Sequence, residues 1–214
     1  MKEDTTRPKL FIGIDIHKRS WKIKTATDLF AGKSFTCPPD AHTLRKYVEN
    51  NFPDYEVSCA YEAGCCGYDA HRTFISFGWN SMVVNPADIP RTLKSQYQKT
   101  DKIDAALICR ELKDGRLHSI CIPDPKREAL RCLFRRRNDL VKDFRKVKSK
   151  IIMQLLYLGI KIPKEHDNSH WTHAFRNWIR SLDLGFTTSD YSLQNRLDHF
   201  EFLDKNIREV SNQL

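Results

Sequence analysis

The chain has 214 residues, 40% of them hydrophobic and 29% charged, enough for one or two domains with apolar cores, and 36 Lys and Arg against 27 Asp and Glu leave a net charge of +9. No apolar run approaches the ~20 residues of a membrane span, and the polar opening MKEDTTRPKL lacks a signal-peptide core. Seven cysteines, an odd count with no export signal, argue against a disulfide framework and point to a reducing, cytoplasmic compartment.

Residues 1–122 alternate strand and helix patterns. Lys9–Ile16 (KLFIGIDI) is apolar on both faces, as a central buried strand should be. Trp21–Thr27 alternates polar and apolar residues, and Gly32–Thr36 follows it after an expected turn at Ala31-Gly32. Asp40 is placed to cap a helix carrying Leu44, Tyr47 and Val48 on one face and ending before Pro53. Glu56–Tyr61 reads as a strand, Tyr68–Phe77 as a helix stopped at Gly78, and Asn80–Val84 as a further strand. A helix over Asp101–Lys113 follows, with Thr100 as its expected cap and Gly115 beyond its end. Three hairpin strands and then strand–helix units predict an α/β fold, a mixed sheet flanked by helices.

A boundary is expected at Pro123 and Pro125. Beyond it, Leu130, Leu133, Leu140, Phe144, Val147, Ile151, Leu155 and Leu158 recur at steps of three, four or seven, close to a heptad seam, with Arg137 at an otherwise apolar position. The resulting basic coiled-coil helix is assigned to 126–160. Trp171, Phe175 and Trp178 predict a short helix with an aromatic face. Leu193, Leu197, Phe200, Leu203, Ile207, Val210 and Leu214 form a second seam that runs to the last residue with no cap behind it. The segment 165–214 therefore reads as helical and as cut before a further domain.

The charge is concentrated. Between Lys126 and Lys150 there are eleven basic residues and three acidic ones, which accounts for eight of the nine surplus charges. Such a stretch is the footprint of a polyanion or simply a solvated helix face. Arg131, Arg135, Arg136, Arg137, Lys142, Arg145, Lys146 and Lys148 are the candidate nucleic-acid contacts. Engaging about six phosphates would give a salt slope of roughly −5.

Four carboxylates stand in unusual places. Asp15 interrupts the most apolar strand of the chain, where a charge is costly unless compensated. Glu62 follows a strand at its C-terminal end, where α/β sheets bind ligands. Asp101 and Asp104 share one helix face. Singly, these could be a paired strand charge, a loop residue and first-turn charges favoured by the helix dipole. Together they point to Mg²⁺, a hard ion that takes carboxylate oxygen, with Mn²⁺ as substitute. His17, beside Asp15, either orients a water or phosphate or is a polar strand end. His166, His170 and His173 have a spacing that zinc could use, but an ordinary amphipathic helix explains it better. Cys65 and Cys66 read as small packing residues.

The segments GIDIHK (Gly13–Lys18), YEAG (Tyr61–Gly64), VVNP (Val83–Pro86) and KTDKIDA (Lys99–Ala105) resemble, in order and spacing, the DEDD-type transposases of bridge-RNA-guided insertion sequences, a family that includes pilin-gene-inverting recombinases. The resemblance implies an N-terminal RuvC-like domain of ribonuclease H fold in residues 1–122. There Asp15, Glu62, Asp101 and Asp104 would be both the catalytic residues and the Mg²⁺ ligands. It also implies DNA and a structured guide RNA as partners, and a homodimer or higher oligomer formed through the helical seams. Family members carry a catalytic serine in a C-terminal domain. None of Ser181, Ser189, Ser192 and Ser211, which lie in the helical tail, can be given that role. The function expected is DNA transposition or site-specific recombination. The alternatives are a self-sufficient two-metal endonuclease, a non-catalytic nucleic-acid-binding module and, less compatible with the length, an actin-like ATPase.

Overall fold

The computed structural model describes residues 7–89, 101–166 and 170–214, and in the second of these stretches side chains from residue 104 onward. The chain forms two compact units, Met1–Ile122 and Pro123–Leu214.

The first unit is built on a five-stranded mixed sheet of order β3-β2-β1-β4-β5. The strands are β1 (Lys9–Ile16), β2 (Trp21–Thr27), β3 (Ala31–Cys37), β4 (Glu56–Glu62) and β5 (Asn80–Val84). β1 is central: it pairs antiparallel with β2 and parallel with β4, while β3 and β5 complete the antiparallel and parallel halves. A centre strand needs two apolar faces: Leu10, Ile12 and Ile14 are fully buried on one, and Phe11 packs with the cluster on the other. Leu10, Ile12 and Ile14 pack with Trp21, Leu44, Tyr61 and Phe74 on the face covered by α1 (Ala41–Asn51) and α2 (Asp69–Ser76). Asp40 caps α1 as expected, its carboxylate accepting from the His42 and Thr43 amides. α3 (Asp101–Lys113) covers the opposite face, where Ile108 and Leu112 join Ala60 and Val84. The sheet and its helices are consistent with the RuvC-like, ribonuclease H arrangement.

Two local expectations change. The β2–β3 turn is made by Asp28, Leu29 and Phe30, and Gly32 lies inside β3. A Cβ on Gly32 would collide with Thr25 Oγ1, a buried hydroxyl bonded to both backbone groups of Lys33. Cys65 and Cys66 are exposed in the loop after β4, and so are not packing residues. The Thr100 cap falls outside the described residues.

The second unit holds α4 (Pro125–Tyr157), α5 (His173–Arg180) and α6 (Thr187–Asn212). α4 begins earlier than its apolar pattern. Asp124 caps it by accepting from the Arg127 amide, and Pro125 takes the first helical position, where a missing N–H costs nothing. Leu140, Val147, Ile151 and Leu155 of α4 bury in one core with Leu193, Leu197, Phe200 and Leu203 of α6 and with Phe175 and Ile179 of α5. The two seams therefore pack on each other within the chain, which corrects the expectation that they are free to join two chains. At the ends of the first pattern Leu130 and Leu158 are largely exposed. The polar break is resolved by a partner: Arg137 Nε donates to Ser211 Oγ at 2.9 Å. Trp171 precedes α5, whose cap is Thr172, and packs edge-on against Phe175. No helix among the described residues is long and apolar enough to cross a membrane.

Candidate functional site

Residue 13 sets the geometry of the carboxylate end. A Cβ on Gly13 would collide with the Ala105 carbonyl and the Cys109 amide of α3. Glycine thus lets helix and strand touch backbone to backbone. Cys109 Sγ also reaches the Phe11 carbonyl at 3.4 Å, and burial pushes this thiol up to about 11. Contacts Phe11–Cys109 and Gly13–Ala105 show that α3 runs antiparallel to β1. Asp101 and Asp104 lie in the first turn of α3, at the end of the helix toward the C-terminal end of β1.

Asp15 and Glu62 are matched across the sheet. The parallel register places Ile14 beside Tyr61, so Asp15 and Glu62 are the next residues on adjacent strands. Side chains alternate in a strand. Asp15 therefore shares the face of Gly13, and Glu62 that of Ala60, which is the α3 face. The Asp15 side chain is 19% exposed, and its Oδ2 lies 3.2 Å from His17 Nε2. Cys66 Sγ lies 3.8 Å from the Ile16 carbonyl. Although the residue is exposed overall, partial desolvation at the sulfur pushes its thiol up, and Cys65 and the Asp15 carboxylate act in the same direction. Glu62 and Asp104 are half-buried. The Asp101 side chain, and Lys99 and Thr100 of the same motif, lie outside the described residues.

The four carboxylates offer oxygen atoms alone, the chemistry that Mg²⁺ or Mn²⁺ would prefer. Among the described residues no three His, Cys, Asp or Glu side chains are close enough together to hold a metal ion. This also removes the histidine trio as a zinc site. His166 instead packs its ring against Phe175 and Trp178, at 5.6 and 6.0 Å between centroids.

The eight basic candidates of α4 separate into groups. Arg131, Arg135, Arg136 and Arg145 are exposed and form no ion pair among the described residues. Lys142 and Lys146 pair with Asp139 and Asp143 one turn back, at 3.9 and 3.1 Å, exposed pairs that contribute little. Arg137 is held by Ser211, and Lys148 lies over aromatic rings. A further basic groove of about 420 Å³, lined by Lys150, Arg196 and His199, was not indicated by the sequence. Its cations are divided between two helices 46 residues apart, so no local charge run announces them.

The chain is similar to the transposase for insertion sequence element IS1533 of Leptospira borgpetersenii, 28% identical over 95% of this chain and 61% of that protein. It is likewise similar to y4qE of Sinorhizobium fredii, a protein with a provisional transposase designation, at 28% identity over 88% of this chain and 48% of the relative. The chain thus spans between about half and three fifths of the length of these relatives. The IS110-type DEDD profile, described as transposase, matches residues 12–158, more than half of the chain, and on that match the chain belongs to the IS110-type DEDD transposase family.

Proposed function

We propose that this chain is the metal- and nucleic-acid-binding part of a DNA transposase that works in the cytoplasm on DNA with a structured guide RNA. One observation carries the reading. Asp15 and Glu62 occupy neighbouring positions near the C-terminal ends of adjacent parallel strands on one face of the sheet, and Asp104 lies in the first turn of the helix covering that face. Asp15, Glu62, Asp101 and Asp104 would hold Mg²⁺, or Mn²⁺ in its place. When bound, such ions act as Lewis acids on the attacking and leaving oxygens of a phosphodiester. The chain's own groups provide placement. β1 and β4 fix two carboxylates on a rigid sheet, His17 orients Asp15 from one side, and the Gly13 contact fixes the distance of α3. The exposed arginines of α4 bind backbone phosphates and set affinity, leaving sequence choice to base pairing with RNA. A homodimer formed through surfaces other than the buried seams belongs to the same reading.

A second reading, a non-catalytic nucleic-acid-binding module, is favoured by one observation. The described carboxylates do not close into a three-ligand cluster. Nicking of supercoiled and branched DNA with Mg²⁺ or Mn²⁺, run beside Asp15→Ala, separates the two. Metal-dependent nicking that the variant loses supports catalysis at the carboxylates. Retained nucleic-acid binding without nicking supports the module. Metal-dependent nicking unchanged in Asp15→Ala contradicts the assignment of the site.

A further inference from the structure

The helical unit has a concavity that the exposed arginines of α4 do not enter. Its volume is about 370 Å³, and Phe144, Trp171 and Phe200 form part of its lining. Phe144 of α4 and Trp171 both stack on Phe200 of α6, with centroids 4.6 and 4.7 Å away and planes 26° apart in each case. Lys148 Nζ stands over this wall, 4.6 Å from the Phe144 centroid, 5.7 Å from Trp171 and 5.9 Å from Phe200. The Arg176 guanidinium lies 5.9 Å from the Phe200 centroid. Arg208 is a third cation, and Asp204 is the single carboxylate of the lining, 2.8 Å from it. Lys148 is thus unlike Lys142 and Lys146, which have carboxylates one turn back on their own helix.

Three cations against one carboxylate leave positive charge uncompensated in an open concavity lined in part by rings, where an anion is attracted by their summed charge. Burial lowers the ammonium's affinity for its proton while Asp204 opposes this. Rings together with cations are also the ingredients of single-strand binding surfaces.

We propose that this pocket takes a backbone phosphate of single-stranded nucleic acid, held among Lys148, Arg176 and Arg208; this rests on the nucleic-acid reading above and gives it a site distinct from the exposed arginine row.

The test uses the full chain and a labelled oligothymidylate, with binding followed by anisotropy over a range of salt. Lys148→Met keeps an apolar stem over the rings and removes the charge. It is expected to weaken binding about tenfold at low salt, the equivalent of one charge-assisted hydrogen bond, and to flatten the salt slope by about 0.7. Lys148→Arg is expected to restore both. Asp204→Asn releases Arg208 and is expected to tighten binding, an effect opposite in sign to that of Lys148→Met. Wild-type affinity and slope in Lys148→Met overturn the proposal. Weakening by Asp204→Asn overturns it too, because it would identify the cluster as packing alone. If Arg135→Gln and Arg136→Gln weaken binding while Lys148→Met does not, the pocket fails and the general reading stands. Loss of the same increment with a duplex of equal length overturns the single-strand assignment. Saturable quenching of Trp171 by inorganic phosphate that the oligonucleotide does not compete away overturns the backbone source.

Discussion

Gly13→Ala tests the contact that positions the carboxylates. The added methyl would collide with the Ala105 carbonyl oxygen and the Cys109 amide nitrogen and stand 2.8 Å from Cys109 Cβ. Carbon atoms rest about 3.5–4.0 Å apart, so even the mildest of these contacts is short by about 1 Å. The two harder collisions are with helix backbone, which cannot rotate away. α3 must move outward, and Ile108 and Leu112 lose part of their packing on Ala60 and Val84. Overpacking of this kind costs about 1–3 kcal/mol, and two backbone collisions place it at the upper end. For a unit of this size about 3 kcal/mol lowers the Tm by roughly 12 °C. Thermal unfolding followed by circular dichroism reads this in the transition of the first unit. Gly64→Ala is the control, because a Cβ there meets nothing within 4 Å. A Tm for Gly13→Ala within about 2 °C of wild type would refute the argument. Below its Tm the variant should also bind Mn²⁺ more weakly, since moving α3 takes Asp104 away from Asp15.

Three further outcomes follow from the same structure. Changing Arg131, Arg135, Arg136 and Arg145 together to Gln should reduce the salt slope for duplex DNA by about 3 to 4, and an unaltered slope would remove them from the interface. Ile151→Ala, at a fully buried seam position, should cost about 2–5 kcal/mol and give a Tm independent of protein concentration; a concentration-dependent Tm would instead indicate a seam between chains. Glu111 is buried, and hydrogen bonds from Arg116 first and Arg110 second hold its carboxyl below the ordinary range. Its folded value lies below its unfolded one, so its contribution is present above about pH 4.3 and is lost as pH falls. Glu111→Gln should therefore lower the Tm at pH 7, with the difference from wild type shrinking toward pH 3; a difference that stays constant across that range would contradict this.

Local periodicity and capping made much of the fold legible. The bounds of β1 and β5 follow from apolar runs between breakers, and α1 from Asp40 and its apolar stripe. What sequence could not express was contact between distant segments. Gly32 looked like a turn residue because glycine favours turns, whereas it is required by the approach of Thr25 from the neighbouring strand. Cys65 and Cys66 looked like small core residues because cysteine is so often buried, and the loop after β4 exposes them. The two helical seams were visible, but a heptad pattern does not say whether its partner is in the same chain. Arg137, an apparent defect in that pattern, proved to have a hydroxyl partner 74 residues away. The carboxylates were found because they are costly where they stand. Their matched position follows from strand register and from Gly13, neither of which a spacing of residues reveals.

The central claim is that Asp15, Glu62 and Asp104, with Asp101, form one metal centre. Titration of the chain with Mn²⁺, followed by the loss of its free-ion electron paramagnetic resonance signal and competed with Mg²⁺, measures this directly. Saturable binding is expected in the wild-type chain and is expected to be abolished in both Asp15→Ala and Asp104→Ala, with circular dichroism unchanged. Binding that survives intact in either variant would contradict it.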